Sequence, residues 1–170
     1  TASDNCTVSS ISYTLTGATT GAGNTLDGVT FGQGVTNVVW TVSDASGNTA
    51  TCSFNVTVED NEDPVVVNCG SAGTQTVTAD PSVCSYTHSG TSWDAIATDN
   101  CTVVTLSYTL TGATTATGTG TLDGQAFNTG ITNVIWKATD ASGNISNCSF
   151  LVEVIDNESP VVNSCVPDVT

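Results

Sequence analysis

Thr132-Asn133-Val134-Ile135-Trp136-Lys137-Ala138-Thr139-Asp140-Ala141-Ser142-Gly143-Asn144-Ile145-Ser146-Asn147-Cys148-Ser149-Phe150-Leu151-Val152-Glu153-Val154 reads as two strands folded back on one turn. Val134, Trp136 and Ala138 share one face before the turn, and Cys148, Phe150, Val152 and Val154 share one face after it. A period of two marks half-buried antiparallel strands and excludes a helix, whose apolar positions recur every three to four residues. Between the strands, Gly143 and Asn144 tolerate the positive φ that a tight hairpin turn requires. The same pattern occurs once before, 96 residues earlier: Val38, Trp40 and Val42, then Asp44 to Asn48, then Cys52, Phe54, Val56 and Val58.

Working outward, the repeat extends toward the N-terminus. Asp4-Asn5-Cys6-Thr7-Val8 returns as Asp99-Asn100-Cys101-Thr102-Val103, and the stretch from Tyr13 to Thr20 returns unchanged from Tyr108 to Thr115. The offset is 95 residues here and 96 after the Gly/Thr loop, so the second copy carries one inserted residue. A period this long is a whole small domain, not a solenoid turn. The chain thus divides into the end of one repeat (1–62), a complete repeat (63–158) and the start of a third (159–170). In the complete repeat, strands are expected near 64–68 with a continuation at 74–79, and near 83–89, 102–111, 132–139 and 146–156. Residues 121–127 form a candidate edge strand, and the Thr/Gly segment 112–121 reads as a flexible loop or a flat ligand-binding edge. The expected fold is all-β: tandem immunoglobulin-like antiparallel β-sandwiches.

Composition narrows the function. Sixteen acidic residues face one basic residue, for a net charge of −15. With no basic patch, nucleic acid and anionic membrane surfaces are excluded as partners. No apolar run is long enough to span a bilayer, so no membrane insertion is expected in this segment. Seven cysteines occupy repeated positions (Cys6/Cys101, Cys52/Cys148, Cys69/Cys165), with Cys84 in the complete repeat alone. None forms a CxxC pair and His88 is the single histidine, which argues against zinc. Four cysteines per repeat in a chain rich in Thr, Ser and Asn point to an oxidised, secreted protein. Cys69 and Cys148 fall at one pole of the expected sandwich and suit a disulfide. Cys84 and Cys101 then pair by elimination, unless Cys84 lies at the far end of its strand. Cys6 and Cys52 are expected to have partners upstream of Thr1. No histidine sits at a repeated position to activate a thiol, so no enzyme is expected.

The second half of each repeat reads Phe-x-x-Gly-x-Thr-x-Val-x-Trp-x-x-x-Asp-Ala-Ser-Gly-Asn-x-x-x-Cys-x-Phe-x-Val-x-Val-x-Asp, beginning at Phe31 and again at Phe127. This long spaced motif closely resembles the HYR (hyalin repeat) domain. The Asp-Asn-Cys triplet and the added Cys84 resemble its bacterial four-cysteine form, found in tandem in large cell-surface adhesins of Bacteroidota, including gliding-motility adhesins. The resemblance implies an immunoglobulin-like fold, extracellular adhesion, no recognised catalytic site and a ligand it does not name. One departure stands out. The Cys-Pro that commonly opens the repeat is Cys69-Gly70 here, and Cys165-Val166-Pro167 in the next, so an irregular first strand is expected.

The junction from Glu59 to Pro64, echoed from Asp156 to Pro160, resembles the acidic linkers of cadherin repeats. In a sandwich, the linker and the B–C and F–G loops of the following domain share a pole. That brings Glu62, Asp63, Asp99 and Asp140 together, with Asp60, Asn100 and Asn144 as further candidates. Such a set of hard oxygens suits Ca²⁺; the competing reading is a group of solvated turn residues. Trp40 and Trp136 are expected in the core. Trp93 is either core or an exposed platform for a sugar, and His88 an ordinary strand or surface residue. The resulting expectation is a structural, adhesive segment of an extracellular, cell-surface adhesin or filament, clamped by disulfides and stiffened by calcium. Its partners would be neighbouring repeats, other copies in a filament, and a surface or glycan. The alternatives are an array of carbohydrate-binding modules, with Trp93 or Tyr86 exposed, or an accessory region of a secreted enzyme.

Overall fold

The structure, a computed structural model, describes residues 1–164, without the side chains of residues 103 and 104. Cys165 and the rest of the expected third-repeat start after residue 164 lie outside the described residues. The chain divides into two compact units, the first Thr1–Asp60 and the second beginning at Asn61. The expected boundary followed residue 62.

Unit 1 contains β1 (Val8–Gly17), β2 (Gly21–Gly23), β3 (Gly34–Asp44) and β4 (Thr49–Val58), ordered β2-β1-β3-β4 in one antiparallel sheet. Unit 2 contains β5 (Val65–Asn68), β6 (Thr74–Thr78), β7 (Ser85–Thr87), β8 (Ile96–Thr98), β9 (Val103–Gly112), β10 (Ala116–Thr119), β11 (Ala126–Asn128), β12 (Gly130–Asp140) and β13 (Ile145–Ile155). Five of its strands form a sheet ordered β10-β9-β12-β13-β6, with β11-β7 and β5-β8 as separate pairs. No helix occurs among the described residues, and the fold is an all-β, immunoglobulin-like sandwich. β12 and β13 pair across the turn that follows Asp140, with Trp136 opposite Cys148 and Val134 opposite Phe150.

The alternation read from the sequence becomes burial. Val134, Trp136, Phe150, Val152 and Val154 pack with Trp93, Leu110, Leu122 and Phe127. Trp136 is fully buried and its indole N–H donates to the Trp93 carbonyl at 3.0 Å, so the one polar atom of that side chain is satisfied. Unit 1 repeats the β9–β10–β12–β13 part alone. Its Phe54 is 46% exposed, whereas its counterpart Phe150 is 3% exposed and packs edge-on against Trp93.

Three details differ from expectation. The Thr/Gly segment is not a loop throughout, because β10 pairs with β9 there and Gly118 lies against the Tyr108 ring. A bare glycine lets the ring cover the backbone, and the equivalent Gly23 lies against Tyr13. Next, β6 joins β13 in parallel, the one parallel pair in a sheet expected to be wholly antiparallel. The expected edge strand is the shorter β11. The opening strand is irregular, as expected: β5 shifts register between Val66 and Asn68. Gly70 has φ +82°, and a Cβ there would collide with the Trp93 carbonyl. Proline, fixed near −65°, cannot take that conformation, which accounts for Cys-Gly in place of Cys-Pro.

Cys69 and Cys148 form a disulfide with Cα atoms 5.8 Å apart, clamping the segment after β5 to β13. The expected Cys84–Cys101 bridge is not formed. The Cys84 carbonyl accepts from Thr129 N–H, beside the start of β12, whereas Cys101 precedes Val103, which pairs with Asp140 at the other end of β12. The two cysteines are therefore separated by about the length of that strand, roughly 30 Å at 3.3 Å per residue, against about 4.4–6.8 Å for bridged Cα atoms.

Candidate functional site

The chain enters unit 2 at the pole where β9 starts, β12 ends and β13 starts. Each acidic side chain there is placed by a local turn. Asp99 Oδ2 accepts from Cys101 N–H at 2.9 Å and Thr102 N–H at 3.1 Å, an Asx turn that launches β9. Asp4 does the same in unit 1, accepting from Cys6 and Thr7 at 3.0 and 3.2 Å. Asp140 organises the hairpin. Its Oδ1 accepts from Ser142 and Asn144 N–H, both at 2.8 Å, and its Oδ2 accepts from the Asn144 side-chain amide at 2.7 Å. Asp44, Ser46 and Asn48 reproduce these contacts in unit 1.

Burial opposes the charge on Asp140, but bonds from the Asn144 side chain and from the Asn144, Gly143 and Ser142 amides outweigh it and hold the carboxyl below its ordinary range. In unit 1, the Asn48 side chain and then its backbone amide lower Asp44. Asp140 is only 4% exposed, with both oxygens engaged inside its turn. Asp140 and Asn144 thus build the hairpin turn.

The linker residues are held against this frame. Asn100 Nδ2 donates to Glu62 Oε2 at 2.6 Å, and Ile145 N–H donates to Asp63 Oδ1 at 3.2 Å. Glu62 therefore reaches the turn before β9, and Asp63 reaches the first residue after the β12–β13 turn. Of the expected set, Glu62 is joined to Asn100, next to Asp99, and Asp63 to the residue that follows the Asp140–Asn144 turn. Asp60 ends unit 1. Sequence reading missed the direct amide bonds of Glu62 and Asp63; the signal for them was the recurrence of Asp-Asn-Glu at 60–62 and 156–158. At the opposite pole Glu158, the counterpart of Glu62, accepts from Ser82 N–H at 2.9 Å.

The aromatic candidates for sugar binding are placed otherwise. Trp93 is 6% exposed and belongs to the core. His88, expected to be an ordinary residue, is 3% exposed and stacks on Trp93 at 4.0 Å with ring planes 2° apart. Burial lowers its pKa, against the opposing charges of Asp94 and Asp123 and the Gly90 carbonyl. Tyr86 is half-buried, tilted against Trp93 at 5.8 Å. No flat aromatic platform is available at Trp93.

No helix among the described residues is long and apolar enough to cross a membrane. Comparison with known families places the first unit. Residues 3–58 match the model of the HYR domain, an extracellular repeat domain, and β9, β10, β12 and β13 of unit 2 repeat β1, β2, β3 and β4 of that matched segment.

Proposed function

We propose that this chain is a load-bearing, adhesive segment of an extracellular array of HYR-like domains at a cell surface, with calcium bracing the junction ahead of each domain and no catalytic role. The observation that supports it most is that two consecutive linker carboxylates bond to the two loops of the following domain, Glu62 to Asn100 and Asp63 to Ile145. A linker docked in this way has few bending modes of its own. The high negative charge concentrates repulsion at such a pole, and a divalent cation relieves it. Glu62, Asp63 and Asp99 offer the oxygens for Ca²⁺, with Asp60 one step before them and Asn100 as a neutral donor; hard carboxylate and amide oxygens match the ion's preference. The carrier of this form, in tandem adhesins of the gliding-motility type in Bacteroidota, is the context we infer for the full array. Partners are the adjacent repeats, other copies of the filament, and a surface glycan or protein.

Calorimetric titration of the chain with calcium tests the ion. Saturable binding is expected, weakened at least tenfold by Glu62→Gln combined with Asp63→Asn. Equal heats for both proteins, or none for either, would reduce the acidic junction to a solvated turn.

A further inference from the structure

We propose that Cys84 and Cys101 serve the same disulfide in different repeats: Cys84 of one repeat joins the cysteine at the Cys101 position of the next, so that successive domains are covalently riveted. The inference rests on the tandem-array reading and is independent of calcium. Three observations within unit 2 lead to it. Both cysteines are exposed, and neither is held in the Cys69–Cys148 clamp. They lie at opposite poles, Cys101 where the chain enters and Cys84 where it leaves. The exit pole is fixed by Ala79 N–H donating to the Ile155 carbonyl at 2.9 Å, and by Thr129 N–H donating to the Cys84 carbonyl at 3.1 Å.

The third observation links the poles through one linker position. Glu158, leaving unit 2, bonds to Ser82, two residues from Cys84. Its counterpart Glu62 bonds to Asn100, the neighbour of Cys101. In a continuous array one glutamate occupies both roles, touching the Cys84 turn of the domain behind it and the Asn-Cys turn of the domain ahead. The two thiols are thereby brought to the same glutamate, and a bridge with Cα atoms about 4.4–6.8 Å apart becomes reachable. The same placement explains why no such bridge forms within one domain.

Formation is a two-electron oxidation. One thiolate attacks the disulfide of an oxidised dithiol–disulfide donor protein and gives a mixed disulfide. The second thiolate displaces the donor sulfur, forming the Sγ–Sγ bond between repeats. Two protons leave the cysteines, and the donor departs as a dithiol with the two electrons.

The test uses the full chain extended by one repeat, with residues 61–170 placed a second time after Asp156, on a Cys6→Ser, Cys52→Ser, Cys165→Ser background that prevents scrambling. After oxidative folding, the protein is alkylated and mapped without reduction. The expected result is a peptide joining Cys84 of the first copy to Cys101 of the second, alongside Cys69–Cys148 bridges in both. In the unextended 170-residue chain, Cys84 should instead be alkylated. Cys84→Ser in the first copy should leave the second-copy Cys101 open to alkylation while both clamps persist. Intact clamps with an alkylated first-copy Cys84, or with Cys84 joined to any other cysteine, would overturn the proposal. That outcome would leave the calcium reading untouched, since calorimetry addresses it separately.

Discussion

Thr132 is fully buried, and its hydroxyl accepts from Thr114 N–H at 3.1 Å, while the Thr114 hydroxyl accepts from Asn128 N–H at 2.7 Å. Thr36 and Thr19 make the matching contacts in unit 1. Two threonines thus replace a sheet ladder where the β9–β10 turn folds under β12. Thr132→Val keeps the shape but leaves a buried N–H without its acceptor, and should cost about 1–3 kcal/mol in urea unfolding with an unchanged slope. His88 supplies a second residue-level test. Its pKa is lowered in the fold, so below about 6.5 the unfolded chain takes up the proton first and stability falls with pH until the folded value is passed. His88→Phe keeps a ring on Trp93 and removes the proton. The drop in urea midpoint between pH 7.5 and 5.5 should shrink in that variant; an equal drop in both proteins would place the titration elsewhere. The core aromatics Trp136 and Phe150 were legible because alternation reports a buried face. The Thr114–Thr132 pair and the His88–Trp93 stack were not, since each joins residues at no local spacing: 18 positions apart in the first case, and on a broken stretch between β7 and β8 in the second.

At the scale of elements, the strands that alternate were read to within a few residues, β9, β12 and β13 above all, because their faces differ in polarity along their whole length. β10 went unread: Ala116-Thr117-Gly118-Thr119 has no apolar alternation, and its pairing depends on Tyr108 finding Gly118 across the strand. The parallel placement of β6 was equally silent, since strand direction leaves no mark on periodicity. Cys69–Cys148 was legible because both residues sit near one pole, and Cys84–Cys101 fails on the condition attached to it, since Cys84 lies just before β7, at the far pole from Cys101. The clamp closes a loop with a sequence separation of 79 residues. Replacing both cysteines with alanine should cost roughly 2–5 kcal/mol, seen as a lower melting temperature of unit 2. A melt unchanged by the double replacement would mean that β6 and β13 hold the segment unaided.

For the whole molecule, the repeat offset and the charge were plain in the sequence. What was not plain is that Asp140 and Asn144 bond to each other inside the turn. In the proposed brace, calcium would hold the linker carboxylates that bond to the loops of unit 2. Small-angle scattering of the chain, with calcium and then with excess chelator, tests this most directly. A longer maximum dimension and a narrower spread of interatomic distances are expected with calcium, both lost on chelation while the tertiary circular-dichroism signal of the aromatic core persists. Identical scattering in the two conditions would contradict it.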